Sequence, residues 1–209
     1  TGSMRAGKAV FENAASTVKK VNLELGGNAP VIVTPNANID KAVDYIVTAR
    51  IKNAGQVCTW PERIFVHEDI HDTFVDKVTE KMKSLTVGDP LDDKTDFGAI
   101  INKTQLNSID DKVQAAVQNG AELLLGGHIL DRPGYFYAPT VLDHVKQTDA
   151  VFKEEIFGPV LAITTYQNFE QVIDDANDTN AGLSSYIFSN DLSEVMTATE
   201  RLKFGEVYA

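Results

Sequence analysis

One cysteine, Cys58, occurs in 209 residues. A single thiol excludes an internal disulfide, and with no cysteine pair and no metal-ligand spacing around the histidines no metal is assigned. The longest uninterrupted apolar runs, such as "APVIV" and "PVLAI", fall far short of the roughly 20 residues that cross a bilayer. No cationic segment followed by an apolar core opens the chain. Positive charge is also scarce: the net charge of −11 is spread along the sequence and opposes the field that draws proteins to phosphate backbones. Nucleic acid and membrane are therefore not expected partners, the acidity reads as a solvated surface, and a reducing, cytoplasmic location is expected. There is no internal repeat, no low-complexity stretch and no long Pro/Gly/Ser linker. The start at Thr1 and the end in "FGEVYA" suggest a piece of something longer.

What is present alternates. "GKAVFENAAS" has helical spacing and "VNLEL" reads as a strand running into Gly26-Gly27; "PVIVT" follows as a buried strand. Asn38 or Asp40 can cap a helix reaching about Asn53, with Val43, Ile46, Val47 and Ile51 on one face, and Gly55 stops it. "RIFVH" reads as a strand, and Ile70, Phe74, Val78, Met82 and Leu85 line one face of the next helix. A further helix carries Leu106, Ile109, Val113, Ala116 and Val117 to Asn119-Gly120. Strands follow at "AELLLGG", "YFYAPTVLD", "PVLAITTY" and "SSYIFS", with helices at "FEQVIDDAN" and "SEVMTATERL". Strands alternating with helices of this length predict an α/β fold: a mostly parallel sheet covered by helices.

Three stretches carry possible chemistry. In "NAGQVCTWPERIFV", Gly55 and Gln56 let the backbone turn before Cys58, and consecutive amides there could face a developing negative charge beside the sulfur. The thiol is either a nucleophile or a small apolar filler. In "LELGGNAP", Glu24 interrupts an apolar run; buried, its carboxyl would be pushed up and become a general base, and exposed, it would simply be the polar side of a strand. In "KEEIFGPV", paired carboxylates precede Phe157, or form an acidic turn entering a strand. A cysteine hydrolase would need a histidine partner, and His67, His71, His128 and His144 sit in no motif and read as surface residues.

In this order and spacing, "LELGGNAP", "NAGQVC" and "EEIFGPV" resemble the signature blocks of the aldehyde dehydrogenase superfamily. "TGSMRAG" resembles its turn onto the cofactor pyrophosphate, although as a glycine motif it is weak, and "NAGLSSYIFS" its segment before a late strand. The nearest likeness is to enzymes acting on lactaldehyde, glycolaldehyde and succinate semialdehyde.

The resemblance implies the family's catalytic-domain architecture, with residues 1–26 the end of a cofactor-binding domain and 27–209 a catalytic domain truncated at its C-terminal end. It implies NAD as cofactor, with NADP possible, a small-molecule aldehyde as substrate, and a homodimeric or homotetrameric parent. By position Cys58 matches the nucleophile, forming a thiohemiacetal and then a thioester, and Glu24 the base that activates water. Glu155 matches the residue gripping the nicotinamide ribose, Phe157 the one near the nicotinamide ring, Gly2 and Ser3 the pyrophosphate turn, and Leu25 and Gly26 the backbone beside the nicotinamide amide. Trp60 and Pro61 stand where relatives often have small or polar residues, so Trp60 either narrows the substrate tunnel or belongs to the core. The family's adenosine-binding strands and an oxyanion-hole asparagine would precede Thr1, so the isolated chain is expected to turn over almost nothing. The alternative is a non-catalytic structural relative that keeps the fold for protein contacts.

Overall fold

The computed structural model describes residues 1–209. In chain order the elements are α1 (Met4–Ala15), β1 (Ala29–Val33), α2 (Ile39–Ile51), β2 (Pro61–His67), α3 (His71–Lys83), α4 (Lys103–Gln118), β3 (Glu122–Leu125), β4 (Thr140–Asp143), α5 (Ala150–Lys153), β5 (Val160–Tyr166), α6 (Phe169–Asn177), β6 (Ser184–Phe188), α7 (Leu192–Arg201) and β7 (Glu206–Tyr208). The strands form one seven-stranded sheet in the order β3-β4-β5-β2-β1-β6-β7. Every neighbouring pair is parallel except β3 and β4.

The strand sequences explain the layering. β1, "APVIV", is buried at all five positions, and β2 and β5 are buried at most of theirs. Strands covered on both faces must be apolar throughout, because parallel crossovers place helices on each side. One core of 43 buried residues results, running from Ala29 to Leu202. Local chemistry sets the helix starts: Ser3, Asn38, Asn102, Asn168 and Asp191 each accept a first-turn amide through their side chains. No helix is long and apolar enough to cross a membrane.

The sheet order fixes where chemistry can gather. The three segments singled out in the sequence each enter a parallel strand: residues 23–28 lead into β1, 53–60 into β2 and 154–159 into β5. Because β5, β2 and β1 are adjacent, these segments lie side by side at the amino ends of the strands.

Several expectations need correction. "VNLEL" forms no strand; residues 19–28 run without regular structure, tied instead by side-chain and loop hydrogen bonds. "YFYAPTVLD" yields only the four residues of β4, and the chain end, to which the sequence reading assigns no element, pairs with β6 as edge strand β7. The helix over "IHDTFVDKVTEKMKSL" starts at His71, after a 3-10 turn over Glu68–Ile70.

Candidate active site

The turn before Cys58 is built from its own side chains. Beyond α2 the backbone passes through three successive left-handed residues, Asn53 (φ 52°), Ala54 (φ 55°) and Gly55 (φ 76°). For Asn53 and Ala54 this costs roughly 1–2 kcal/mol each, offset by a reciprocal clamp: Asn53 Nδ2 donates to the Gln56 carbonyl (3.1 Å) and Gln56 Nε2 to the Asn53 carbonyl (2.8 Å). Gln56 Oε1 also accepts the Ile101 amide at 2.9 Å. A Cβ at Gly55 would stand 2.1 Å from the Gly158 carbonyl oxygen, so the turn closes directly on the "IFGPV" segment.

Cys58 is half-buried at the end of this turn. Two hydroxyls from β6 fix the backbone just after it, Ser184 Oγ at 2.9 Å and Tyr186 Oη at 2.7 Å, both donating to the Thr59 carbonyl. Gly27 packs on the cysteine itself: a Cβ there would fall 2.0 Å from the Cys58 carbonyl oxygen. The neighbouring glycine meets the other segment, since a Cβ at Gly26 would fall 2.1 Å from Glu155 Oε2. Glu155 Oε1 accepts the Gly27 amide at 2.9 Å. The glycine pair is therefore wedged between Cys58 and Glu155: at Gly27 a side chain would strike fixed backbone, and at Gly26 it would displace the Glu155 carboxylate.

Glu155 sits in a demanding field. Burial pushes its carboxyl above the ordinary range; the Gly27 amide pulls the other way, the Glu62 carboxylate raises it further, and Arg50 and Lys112 lower it. With Gly26, Gly27 and Met4 it lines a cavity of about 160 Å³. Phe157, half-buried, adopts a left-handed φ of 53°. Gln105 from α4 holds this bend, donating through Nε2 to the Ile156 (2.9 Å) and Phe157 (3.2 Å) carbonyls.

Glu24 lies in the irregular segment, and its side chain is exposed, so the buried, strand-borne carboxylate considered in the sequence is not what the fold builds. Its carbonyl accepts the Gly2 amide at 2.9 Å, which ties this segment to the start of α1. Gly2 has φ +145°, and Ser3 Oγ caps the helix by accepting the Ala6 amide at 3.3 Å. Leu25 packs on Gly7 of α1, where a Cβ would fall 2.7 Å from the leucine methyls. Trp60 is half-buried, with Lys52 Nζ 5.8 Å from its ring centre and its indole nitrogen buried without a partner.

Sequence reasoning missed the supports beneath these loops. Arg50, fully buried at the end of α2, donates through Nη1 to Glu62 Oε1 (2.8 Å) and the Pro61 carbonyl (2.9 Å). Glu62 accepts the amides of Ile156 (2.9 Å) and Phe157 (3.3 Å). Arg63, its guanidinium lowered to about 10 chiefly by burial, donates to the carbonyls of Asn28 (3.1 Å) and Ala176 (2.7 Å). Asn28 Nδ2 in turn donates to the Phe152 and Lys153 carbonyls, both at 3.1 Å. The signal was two charged residues, Glu62 and Arg63, at the head of an otherwise apolar strand.

The reading of all four histidines as surface residues fails for His71. It is buried, and its Nε2 lies 2.9 Å from Asp143 Oδ1 while Nδ1 lies 3.0 Å from Asp72 Oδ1. Burial opposes its protonation, but the two carboxylates together outweigh that effect and raise its pKa. Sequence spacing cannot reveal this cluster, since the fold brings together residues 72 positions apart.

A family model described as "Aldehyde dehydrogenase family" matches residues 1–209. The chain belongs to the aldehyde dehydrogenase family. It is 41% identical over 210 residues to succinate-semialdehyde dehydrogenase [NADP(+)] 2 of Schizosaccharomyces pombe, covering 100% of this chain and 43% of that protein. It is likewise 41% identical over 209 residues to lactaldehyde dehydrogenase of Escherichia coli, covering 100% of this chain and 44% of the relative. The solved Escherichia coli lactaldehyde dehydrogenase superposes with a TM-score of 0.97 at 41% identity, over 99% of this chain and 44% of that one. The chain thus spans less than half the length of these family members, and its parallel sheet with covering helices is the aldehyde dehydrogenase fold.

Proposed function

We propose that this segment carries the reacting centre of an NAD(P)-dependent aldehyde dehydrogenase that converts an aldehyde to a carboxylic acid through a thioester on Cys58. The observation that supports this most is the glycine wedge: Gly27 against the backbone of Cys58 and Gly26 against Glu155, at adjacent strand entrances. In this reading the Cys58 thiolate attacks the aldehyde carbon, and its own amide donates to the resulting oxyanion of the thiohemiacetal. Bound NAD(P) would supply the hydride acceptor. Glu24, open to solvent, takes a proton from the water that attacks the Cys58 thioester, and the acid leaves with the sulfur restored as thiolate.

The residues present fit a dinucleotide. Glu155 offers an acceptor to ribose hydroxyls beside the Gly26 backbone, and the cleft between them has room for part of a ligand. Gly2 and Ser3 open a 12-residue helix, whose first-turn amides and dipole favour an anion. Leu25 and Phe157 flank this region on the two packed segments. The names of several relatives specify NADP(+), and a neighbouring structure, 3,6-anhydro-L-galactose dehydrogenase, is in complex with NAP, so either dinucleotide is carried in the proposal.

The division at residues 26/27 follows the same logic. α1 buries only Gly7 and leaves Val10 and Phe11 exposed, whereas the core begins at Ala29. Residues 1–26 would complete a cofactor-binding unit supplied by the rest of a longer, homo-oligomeric enzyme. The 209-residue chain alone would then form almost no NADH or NADPH from aldehydes. Lactaldehyde and succinate semialdehyde are the substrate class proposed, and a reducing, cytoplasmic setting suits a working thiol.

Alkylation tests the nucleophile. With one cysteine in the chain, intact mass after iodoacetamide at neutral pH reports Cys58 alone. Rapid single alkylation, suppressed by an added short aldehyde, supports the proposal; a thiol that stays unmodified until the protein is denatured overturns it.

A further inference from the structure

At the opposite, carboxyl end of the sheet lies a second cluster that the dehydrogenase chemistry does not use. α3 begins at His71, a few residues past the end of β2, Asp143 ends β4 and His144 follows it. β2 spans seven residues, ~20 Å at about 3.3 Å per residue, so this cluster is well separated from Cys58 at the strand's other end. Carboxyl ends of strands in open parallel sheets are where such folds ordinarily bind ligands.

From this arrangement we propose that His71, Asp143 and His144 form a binding site for a divalent cation of zinc type. His71 Nε2 lies 2.9 Å from Asp143 Oδ1, His144 Nε2 lies 3.6 Å from Asp143 Oδ2, and one ligand atom from each residue falls within 4.8 Å of the others. A tetrahedral zinc with bonds of about 2.0–2.1 Å needs donor atoms ~3.3 Å apart, between the 2.9 Å of the His71–Asp143 contact and the 4.8 Å limit of the cluster, so binding calls for the donors to readjust about the ion. Two imidazoles and one carboxylate are a zinc-type donor set with a fourth position left open.

The surroundings suit a cation. The imidazole of His71 is oriented by a carboxylate on its far nitrogen, since Nδ1 meets Asp72 Oδ1 at 3.0 Å, the arrangement that fixes the tautomer of metal-bound histidines. Asp72 is otherwise fully exposed. Asp143 Oδ1 is held by the His144 amide at 2.7 Å, which leaves Oδ2 to face the imidazole of His144. His144 adopts φ 51°, uncommon for a residue other than glycine, and this places its ring beside that of His71, with centres 5.3 Å apart. The cluster opens into a cleft of about 590 Å³ rimmed by Asp76, Glu80 and Glu122, with no lysine or arginine among its walls. Glu122 is the cross-strand partner of Asp143 and lines the same cleft. Thr79 adds a buried hydroxyl oxygen without a hydrogen-bond partner.

Zinc chloride titrated calorimetrically into the 209-residue chain, in a Cys58→Ser background that removes the lone thiol, is expected to show one saturable equivalent. The ring-nitrogen NMR signals of His71 and His144 should shift, with those of His67 and His128 unchanged. His144→Asn keeps a residue tolerant of the left-handed backbone on an exposed side chain, so the fold survives, and should weaken binding at least about tenfold. Asp72→Ala removes only the orienting carboxylate and should weaken it about 10–100-fold. Absence of saturable binding, shifts confined to His67 and His128, or undiminished affinity in both His144→Asn and Asp72→Ala would each overturn the proposal.

Discussion

Replacing Glu62 by glutamine should unfold much of what positions Cys58. The two side chains have nearly the same shape, so the change tests charge and hydrogen bonding alone. Glu62 is 3% exposed and Arg50 0%, and the carboxylate satisfies three donors: Arg50 Nη1 at 2.8 Å and the amides of Ile156 and Phe157 at 2.9 and 3.3 Å. A glutamine must turn its NH2 group toward one side of this set, donor against donor. In either orientation the buried guanidinium loses its counter-charge, and its Nε and Nη2 already have no partner. Breaking a buried pair by removing one member costs about 3–5 kcal/mol, a large part of the ~5–15 kcal/mol that stabilises a typical domain. The assay is urea unfolding followed through the single tryptophan, Trp60, two residues from the substitution, with circular dichroism as the global probe. In an Arg50→Met background the same substitution should cost at least about 1 kcal/mol less, because no charge is then left buried. A cost for Glu62→Gln below about 0.5 kcal/mol, or additivity of the two changes within about 0.5 kcal/mol, would refute the claim that this pair supports the site.

Three further outcomes follow from the same geometry. Gly27→Ala drives a methyl into the Cys58 carbonyl oxygen, with no flexible side chain to yield; it should cost about 1–3 kcal/mol in a thermal melt, by analogy with overpacked cores, and change the alkylation rate of Cys58. The carboxyl of Glu155 has a raised folded-state pKa, so the wild type loses stability as pH rises from its ordinary value of 4.5 through the raised one. Glu155→Gln lacks this loss, so its stability relative to wild type should improve between acidic and neutral pH; urea midpoints that shift in parallel across that range would contradict this. Asn38→Ala removes the side chain that accepts the Lys41 amide at 3.1 Å and should cost about 0.5–2 kcal/mol without affecting Cys58 reactivity.

Much of the fold was legible because periodicity and buried runs survive into the structure. β1, β2, β5 and β6 appear where "PVIVT", "RIFVH", "PVLAITTY" and "SSYIFS" predicted them, since strands buried on both faces must be apolar throughout. "VNLEL" misled for a physical reason: alternating leucines suit a half-buried strand, but here Leu25 packs on Gly7 of a helix and the segment pairs with none of the seven strands. β7 was hidden because three residues carry no periodicity.

At the site, motif order pointed to the segments around Gly26, Cys58 and Glu155, and the fold does bring those segments together. The exposure of Glu24 could not be read from alternation once the strand it assumed is absent. Arg50 with Glu62, and His71 with Asp143, are pairings that only the sheet order creates, across 12 and 72 positions of sequence.

The thioester half of the proposed reaction needs no cofactor, and its lifetime tests the central claim most directly. The chain is treated with 4-nitrophenyl acetate and followed by intact mass, comparing wild type with Glu24→Gln. A single acetyl group is expected on Cys58, absent in Cys58→Ser, that persists about 10²–10⁴ times longer when Glu24 is replaced. Acetylation that ignores Cys58, or an acetyl group lost equally fast with and without the Glu24 carboxylate, would contradict it.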